Sequence, residues 1–255
     1  MGKIIAIANQ KGGVGKTTTA VNIAASIGYY RYRVLLVDAG PQGNATSGFG
    51  IQKRTVDRST YEVLLGQCSA RDAILTTPFK GVEVIPSSMA LAAAELELAD
   101  MRDRVMRLKE ELVRVKGEYD FVLIDCPPSL GMVTLNALSA CDSLIIPIQC
   151  EYYALEGLSQ LIYTINLVKD RLNPKLTING VVFTMYDGRT NLSMQVIENV
   201  RNNLNQTIYD TIIPRGVRLA EAPSHGLPIT QYDNRSTGAK AYMALAKEVI
   251  ERSAK

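Results

Sequence analysis

The chain has 255 residues, of which 47% are hydrophobic, and its formal net charge at pH 7 is +3. It is long enough to bury a full hydrophobic core, and its ordinary content of 19 glycines and 10 prolines excludes a fibrous or disordered protein. The small positive charge permits contact with nucleic acid or anionic lipid without indicating either.

The cysteine spacing and the apolar segments indicate in which cellular compartment the chain is expected. The four cysteines, which lack Cys-x-x-Cys spacing, are Cys68, Cys126, Cys141 and Cys150. This pattern is typical of free thiols in a reducing compartment. The N-terminus runs directly into an apolar segment without the charged and apolar regions of a signal peptide. The longest apolar stretch, Val133–Ile148, contains Asn136, Asp142 and Pro147, so it does not predict a membrane span. We therefore expect a soluble, cytoplasmic chain.

Short apolar, β-branched runs alternate with longer helical patterns along the chain. The predicted strands are Lys3–Ala8, Val34–Asp38, Val82–Pro86, Phe121–Asp125, Ser143–Ile148, Ile178–Thr184 and Ile208–Ile213. The predicted helices are Lys16–Gly28, Met89–Lys116, Leu155–Arg171, Asn191–Leu204 and Ser236–Arg252. Several strands are apolar throughout, as expected for strands covered on both faces. The alternation predicts an α/β fold: one domain over residues 1–255, with a doubly wound, mostly parallel sheet flanked by helices. The segment Gly50–Gly81 fits this pattern least well.

The first predicted strand is followed by the glycine-rich stretch "NQKGGVGKTTTA", which then opens a helix. Such a loop directs successive backbone N–H groups and the positive helix end toward phosphate oxygens. The residues predicted to bind the phosphates are Gly12, Gly13, Val14, Gly15, Lys16, Thr17 and Thr18. Lys16 would reach the β- and γ-phosphates, and the Thr17 hydroxyl would bind Mg²⁺. Gln10 stands where the strict phosphate-loop pattern has glycine, so a glycine turn that binds nothing is the alternative.

The predicted strand "FVLID" ends in a carboxylate that is followed by "CPPS". Ligands of open α/β sheets bind at the carboxyl ends of strands, so Asp125 is a candidate Mg²⁺ ligand. A helix cap is the alternative, although two prolines are unlike an ordinary helix start.

In combination, five segments resemble the deviant Walker-type ATPases of the ParA/Soj family. They are "KGGVGKTT", "VLLVDAGPQGNAT", "IDCPPS", "IPIQCEYYALEGLSQL" and "IPRGVRLAEAPSHGLPI", and the resemblance extends over essentially the whole chain. It implies a P-loop ATPase with ATP and Mg²⁺ as cofactors and a homodimer that sandwiches ATP at its interface. It also implies non-specific binding to double-stranded DNA on the nucleoid, a ParB-type partner that stimulates hydrolysis, and no membrane association.

The same resemblance assigns roles around the phosphates. Lys11 corresponds to the signature lysine that crosses the dimer interface to the partner's phosphates, although a solvated loop charge is the alternative. Asp38 would hold Mg²⁺ through water. Gly40 occupies the position of the family's catalytic aspartate, which orients the attacking water. We therefore expect slow hydrolysis and a long-lived ATP-bound dimer, unless a water at Gly40 or the Gln42 side chain suffices.

The segments Thr184–Asp187 and Ile213–Leu219 are the candidate adenine loops. Their candidate contacts are Met185, Pro214, Arg215 and Val217. The family points to Arg189 and Arg218 for DNA, with Arg201, Lys240 and Lys247 as further candidates, whereas a solvated helix face explains most of these charges better. His225, the one histidine, receives no chemical role.

Other functions stay open at this stage. A MinD-like membrane-cycling ATPase would need a lipid-seeking C-terminal helix, which Ser236–Lys255 supplies poorly. A ParA-like positioner of another cargo would differ only in its partner. A reductase of the nitrogenase iron-protein type would need a second cysteine placed with Cys126. With Gly40, the chain could also act as a static ATP-dependent DNA clamp.

Overall fold

Eight strands form one sheet in the computed structural model, which describes residues 2–151, 154–204 and 206–254. The strands are β1 (Lys3–Ile7), β2 (Val34–Asp38), β3 (Leu75–Thr76), β4 (Val82–Ile85), β5 (Phe121–Asp125), β6 (Ser143–Gln149), β7 (Thr177–Tyr186) and β8 (Ile208–Pro214). Their order is β3-β4-β2-β5-β1-β6-β7-β8, and all neighbours are parallel except the β3–β4 pair. The predicted α/β class with a mostly parallel sheet is confirmed.

Helices cover both faces of this sheet. They are α1 (Lys16–Tyr29), α2 (Asn44–Gly48), α3 (Thr60–Leu65), α4 (Ala70–Ala73), α5 (Ala94–Glu97), α6 (Arg107–Val115), α7 (Met132–Ala140), α8 (Ala154–Arg171), α9 (Asn191–Asn203), α10 (Val217–Glu221), α11 (Ile229–Tyr232) and α12 (Thr237–Ser253). Alternate residues of β1 face opposite layers: Ile5 and Ile7 pack with α1 and α12, and Ile4 and Ala6 with α6 to α9. This two-sided burial explains the uninterrupted apolar strands.

The predicted continuous helix Met89–Lys116 is wrong. The structure has 3₁₀ turns at Met89–Ala92 and Leu98–Asp100, the short α5 between them, and a regular helix only from Arg107. Residues 102–104 are exposed and Asp103 has a left-handed φ of 54°. The polar segment offers no apolar side chain to bury, so the chain turns instead of extending the helix.

Two further regions differ from the sequence-based assignment. Helix α7 was not predicted because it is apolar nearly all round and buried on most sides, which leaves no helical periodicity to detect. The irregular segment Gly50–Gly81 contains α3 and α4, each opened by a serine capping box, at Ser59 and Ser69. In the motif "QCEYYALEG", Tyr152 and Tyr153 lie outside the described residues. Within the described part of the chain, no helix has both the length and the hydropathy needed to cross a bilayer.

Candidate nucleotide-binding site

The three central strands bring their carboxyl ends to one place. In the sheet register, Asp125 pairs with Ile7 of β1 on one side and with Asp38 of β2 on the other. The loop that leaves β1 and enters α1 crosses the same edge. The candidate residues Lys16, Asp38 and Asp125 therefore meet there and line one cavity of about 510 Å³.

The glycine loop has the conformation expected of a phosphate cradle. Gly13 and Gly15 have φ values of 75° and 84°, which favour glycine, and no atom lies within 4 Å of a Cβ built on Gly12 or Gly13. Gly15 precedes α1 and no side chain caps the helix, so the first-turn N–H groups can bind an anion. The predicted phosphate loop is open toward the cavity.

Lys16 is 7% exposed, and its Nζ donates a hydrogen bond to the Lys11 carbonyl oxygen at 2.9 Å. Burial lowers the pKa of Lys16, and the negative charge of Asp125 opposes that shift. The ammonium is thus held inside the loop by a backbone contact, which a phosphate oxygen could replace.

The two carboxylates differ in how they are satisfied. Asp38 is fully buried and accepts hydrogen bonds from the N–H and the hydroxyl of Thr46, both at 2.7 Å, and from the Gly40 N–H at 3.1 Å. Asp125 bonds to the Thr17 hydroxyl, but its Oδ1 is buried with no hydrogen-bond partner. Burial raises the pKa of Asp38, and burial together with the nearby Asp38 charge raises the pKa of Asp125 to about 8.

A buried carboxylate with one unsatisfied oxygen, beside a hydroxyl and a second carboxylate, is a set of hard oxygen donors. A cation bound there would satisfy the orphaned Oδ1 and offset the repulsion between the two aspartates. The predicted metal residues Thr17, Asp38 and Asp125 therefore fit Mg²⁺.

Gly40 lines this cavity without contributing a side chain. A Cβ built on it would meet only Asp38 Oδ1, at 3.5 Å, which is an ordinary contact, and its φ lies outside the left-handed region. The side-chain oxygen of the neighbouring Gln42 is already engaged, because Gln42 Oε1 accepts a hydrogen bond from Asn44 Nδ2 at 2.9 Å. The position can accommodate a larger residue but has no group there to act on water.

The other lysine of the loop has a different partner. Lys11 Nζ lies 2.5 Å from Glu151 Oε2, and both side chains are a little under half exposed, at 44% and 45%. Glu151 belongs to the quoted "QCEYY" segment, but no local pattern predicts this pairing, which joins residues 140 positions apart. In the isolated chain, Lys11 is therefore directed at a carboxylate and not at the Lys16 cavity.

A second cavity of about 830 Å³ adjoins the first. The two share Gly15, Thr18 and Met185. Its lining includes all four candidate adenine residues: Met185, Pro214, Arg215 and Val217. Met185 and Pro214 lie at the ends of β7 and β8 and not in loops, and Met185 has a left-handed φ of 54°. Strained backbone of this kind concentrates at binding sites.

The candidate DNA-binding residues do not form one cluster. Arg189 lies at the rim of the second cavity, where Asp187 accepts from its Nε and Nη2 at 2.9 and 2.7 Å. Arg218 contacts Glu221 at 3.1 Å and Asp233 at 3.8 Å. The other three are exposed: Arg201 lies on α9, and Lys240 and Lys247 lie on α12 across the sheet. His225 stacks on Tyr232 with 4.9 Å between ring centroids.

Comparison with known proteins agrees with this geometry. A protein-family model described as an AAA domain matches residues 2–178. The chain is 57% identical over 249 residues to the sporulation initiation inhibitor protein Soj of Bacillus subtilis, covering 98% of each chain. It is 50% identical over 252 residues to the chromosome partitioning protein ParA of Myxococcus xanthus, covering 99% of this chain and 89% of that one.

Solved structures show the same fold. A cobyrinic acid a,c-diamide synthase from Mycobacterium smegmatis with bound ADP and magnesium superposes with a TM-score of 0.89, at 36% identity, over 100% of this chain and 96% of that one. The cell division ATPase MinD of Pyrococcus furiosus has a TM-score of 0.82 and 28% identity, covering 98% and 99%.

Proposed function

The chain belongs to the Soj/ParA family of chromosome-partitioning ATPases, and we propose that it is an ATP-switched, homodimeric DNA-binding protein of chromosome or plasmid segregation. The observation that carries this proposal is the meeting of Lys16, Thr17, Asp38 and Asp125 below an open glycine loop. That set supplies positive charge for phosphates and oxygen donors for Mg²⁺ at one edge of the sheet. ATP and Mg²⁺ are the cofactors it fits.

Each residue of this set has a distinct task. The N–H groups of residues 12–18 bind the phosphates, and Lys16 leaves the Lys11 carbonyl to contact the β- and γ-phosphates. Thr17 and Asp125 would hold the cation directly, and Asp38, held by Thr46, would hold it through water. When bound, the cation would supply positive charge to the phosphate oxygens. The adjoining cavity at Met185 and Pro214 takes the adenine.

Lys11 is proposed to act in the partner subunit. A second copy with bound ATP at the interface would draw Lys11 away from Glu151. Lys11 would then face the several negative charges of the partner's phosphates instead of the single charge of the Glu151 carboxylate. The exposed ion pair is a weak restraint, because pairs of this kind contribute at most about 1 kcal/mol. ATP would therefore be part of the dimer interface, and Lys11 would stabilise the transition state as an arginine finger does.

Hydrolysis is proposed to be slow in this chain. The Gly40 position lines the cavity but offers no carboxylate to orient water, and a missing general base costs about a hundred- to ten-thousandfold in rate. Removing a negative charge beside the triphosphate leaves ATP binding intact or strengthens it. The ATP-bound dimer is then long-lived, which favours a static clamp on DNA.

The C-terminal helix favours DNA over a membrane. Its apolar residues Tyr242, Leu245, Ala246 and Val249 are at most 1% exposed and pack with α1 in the core. A MinD-like anchor would need such residues at the surface. The exposed Lys240 and Lys247 instead suit phosphates of duplex DNA, bound without base readout, with a ParB-type protein as the partner on the nucleoid. Cys126 is 2% exposed, which argues against an iron–sulphur cluster held between two subunits.

The test is ATP-dependent dimerisation and DNA retention. Sedimentation with ATP, ADP or no nucleotide should give dimers with ATP alone, and only that state should bind plasmid DNA. Lys16→Met keeps the side-chain length without the charge and should stay monomeric. DNA binding that is equal in all three nucleotide states would refute the proposal.

A further inference from the structure

A hollow lies at the end of the sheet opposite the nucleotide site. It has a volume of about 400 Å³ and is lined by Ala25, Tyr29, Arg31, Phe79, Lys80 and Gln231. These residues surround the end of α1 and the turn that enters β4, whereas the phosphate loop lies at the carboxyl ends of the strands. The hollow shares none of the residues assigned to the nucleotide.

Two glycines hold the walls of this hollow together. A Cβ on Gly28 would lie 2.6 Å from the Lys80 carbonyl oxygen, and a Cβ on Gly81, whose φ is 76°, would lie 2.7 Å from the Tyr32 carbonyl oxygen. The Val34 N–H donates to the Gly81 carbonyl at 2.8 Å. The backbones are in direct contact, so Arg31 and Lys80 stand at fixed positions on the same rim.

Arg31 occupies a backbone position that favours glycine. Its φ is 70°, and it closes α1 by a pair of hydrogen bonds, from its own N–H to Gly28 and from the Tyr32 N–H to Ile27. This is a Schellman end, where the left-handed residue is usually glycine because a Cβ is strained there. The chain carries a long cation at that strained, exposed position, and retained strain of this kind points to a use for the side chain.

The charges around the hollow are largely unopposed. Among described residues, Arg31, Lys80 and Lys247 make no ion pair with a carboxylate, whereas the neighbouring Arg33 lies 3.6 Å from Asp120. Lys247 Nζ lies 5.7 Å from the ring centroid of Tyr30, which packs edge-on against Tyr29 at 5.9 Å. Tyr29 is 66% exposed. Tyr29, Arg31 and Lys80 thus line one hollow, and Tyr30 links Tyr29 to Lys247.

We propose that this surface, formed by Tyr29, Arg31, Lys80 and Lys247, binds the phosphate backbone of duplex DNA. This surface extends the DNA contact of Lys247 on α12 to the C-terminal end of α1. The inference rests on the proposed DNA binding of the ATP-bound dimer. Arginine, lysine and tyrosine are side chains that contact phosphates. The contacts add affinity and salt dependence without sequence preference.

The experiment measures the affinity of the ATP-loaded chain for duplex DNA against salt. Each lost phosphate contact lowers the magnitude of the slope of log K against log salt by about 0.9, so Arg31→Gly with Lys80→Gln should lower it by about 1.8 for each protomer that contacts the duplex. With one protomer in contact, the loss of affinity between 50 and 200 mM salt should then be about twelvefold smaller than in the parent. The matched control, Arg171→Gln with Lys175→Gln, removes one arginine and one lysine that form no ion pair with any residue the structure describes and that lie across the sheet, at the end of α8.

Thermal melting separates this effect from misfolding. Arg31→Gly alone relieves the left-handed strain, so its melting temperature should equal or exceed that of the parent while its DNA slope falls. An unchanged slope in the double variant, with DNA binding intact in the parent, overturns this inference alone. If the double variant instead loses retention on phosphatidylglycerol vesicles, the surface is a lipid contact. A parent that binds no DNA with ATP overturns the proposed function as well.

Discussion

The Thr46 hydroxyl forms hydrogen bonds both to the Asp38 carboxylate and to the backbone at Ser87. The Thr46→Val variant measures how much these two bonds stabilise the fold. The hydroxyl donates to Asp38 Oδ2 at 2.7 Å and accepts from the Ser87 N–H at 2.9 Å, and all three residues are fully buried. Valine fills the same space but makes neither bond. Losing the charge-assisted hydrogen bond to Asp38 costs about 1.5–3 kcal/mol. Leaving the buried Ser87 N–H without a partner costs about 1–3 kcal/mol.

Because both bonds involve the same hydroxyl oxygen, we expect the combined loss of unfolding free energy to lie near the lower end of the summed ranges, at about 3 kcal/mol. For a chain of this size that corresponds to a fall of about 6–12 °C in melting temperature. The pKa of Asp38, already raised by burial, should rise further without the Thr46 hydroxyl, so Mg²⁺-dependent ATP affinity should also fall at pH 7. Thr46→Ser keeps the hydroxyl and should cost about 1 kcal/mol for the lost methyl. Equal melting temperatures for the valine and serine variants would show that the two hydrogen bonds of the Thr46 hydroxyl do not stabilise the fold.

Three further predictions concern other parts of the site and the fold. Lys11→Ala should bind ATP normally in equilibrium dialysis but form no ATP-dependent dimer in sedimentation; intact dimers would place the lysine outside the interface. Because the folded-state pKa of Asp125 is raised to about 8, the metal-free folded chain holds a proton that the unfolded chain has lost, so stability falls as pH rises from about 4 to 8. Asp125→Asn should flatten that fall in melting temperature, and superimposable pH profiles would contradict the assignment. Gly81→Ala, with its left-handed φ and its approach to Tyr32, should cost at least about 2 kcal/mol in urea unfolding, whereas Gly117→Ala, which meets no atom within 4 Å, should cost much less.

The sheet and the phosphate loop were predictable because their signals are local. The strands β1, β2 and β5 are apolar at every position but the ends, which follows from burial on both faces. Glycine spacing before a lysine and an aspartate at a strand end each depend on a few adjacent residues. The positions of Lys16 and Asp125 in one cavity follow from parallel strands meeting at one edge.

The features that sequence reasoning missed depend on distant residues or on backbone conformation. The Lys11–Glu151 pair joins two loops brought together only by the order of β1 and β6. The break before α6 reflects the exposure of residues 102–104, which a helical pattern on either side concealed. The left-handed φ of Arg31 has no signature in its residue type, because glycine is the usual occupant of such a position.

We propose that Gly40 leaves the attacking water without a base while the rest of the site is complete. The direct measurement is ATP turnover on plasmid DNA at low salt for this chain, for Gly40→Asp and for the neutral control Gly40→Asn. A Cβ at this position meets only Asp38 Oδ1 at 3.5 Å, so both side chains fit. We expect a rate about a hundred- to ten-thousandfold higher for Gly40→Asp alone. Similar rates for all three chains would contradict it, because another group would then be orienting the water.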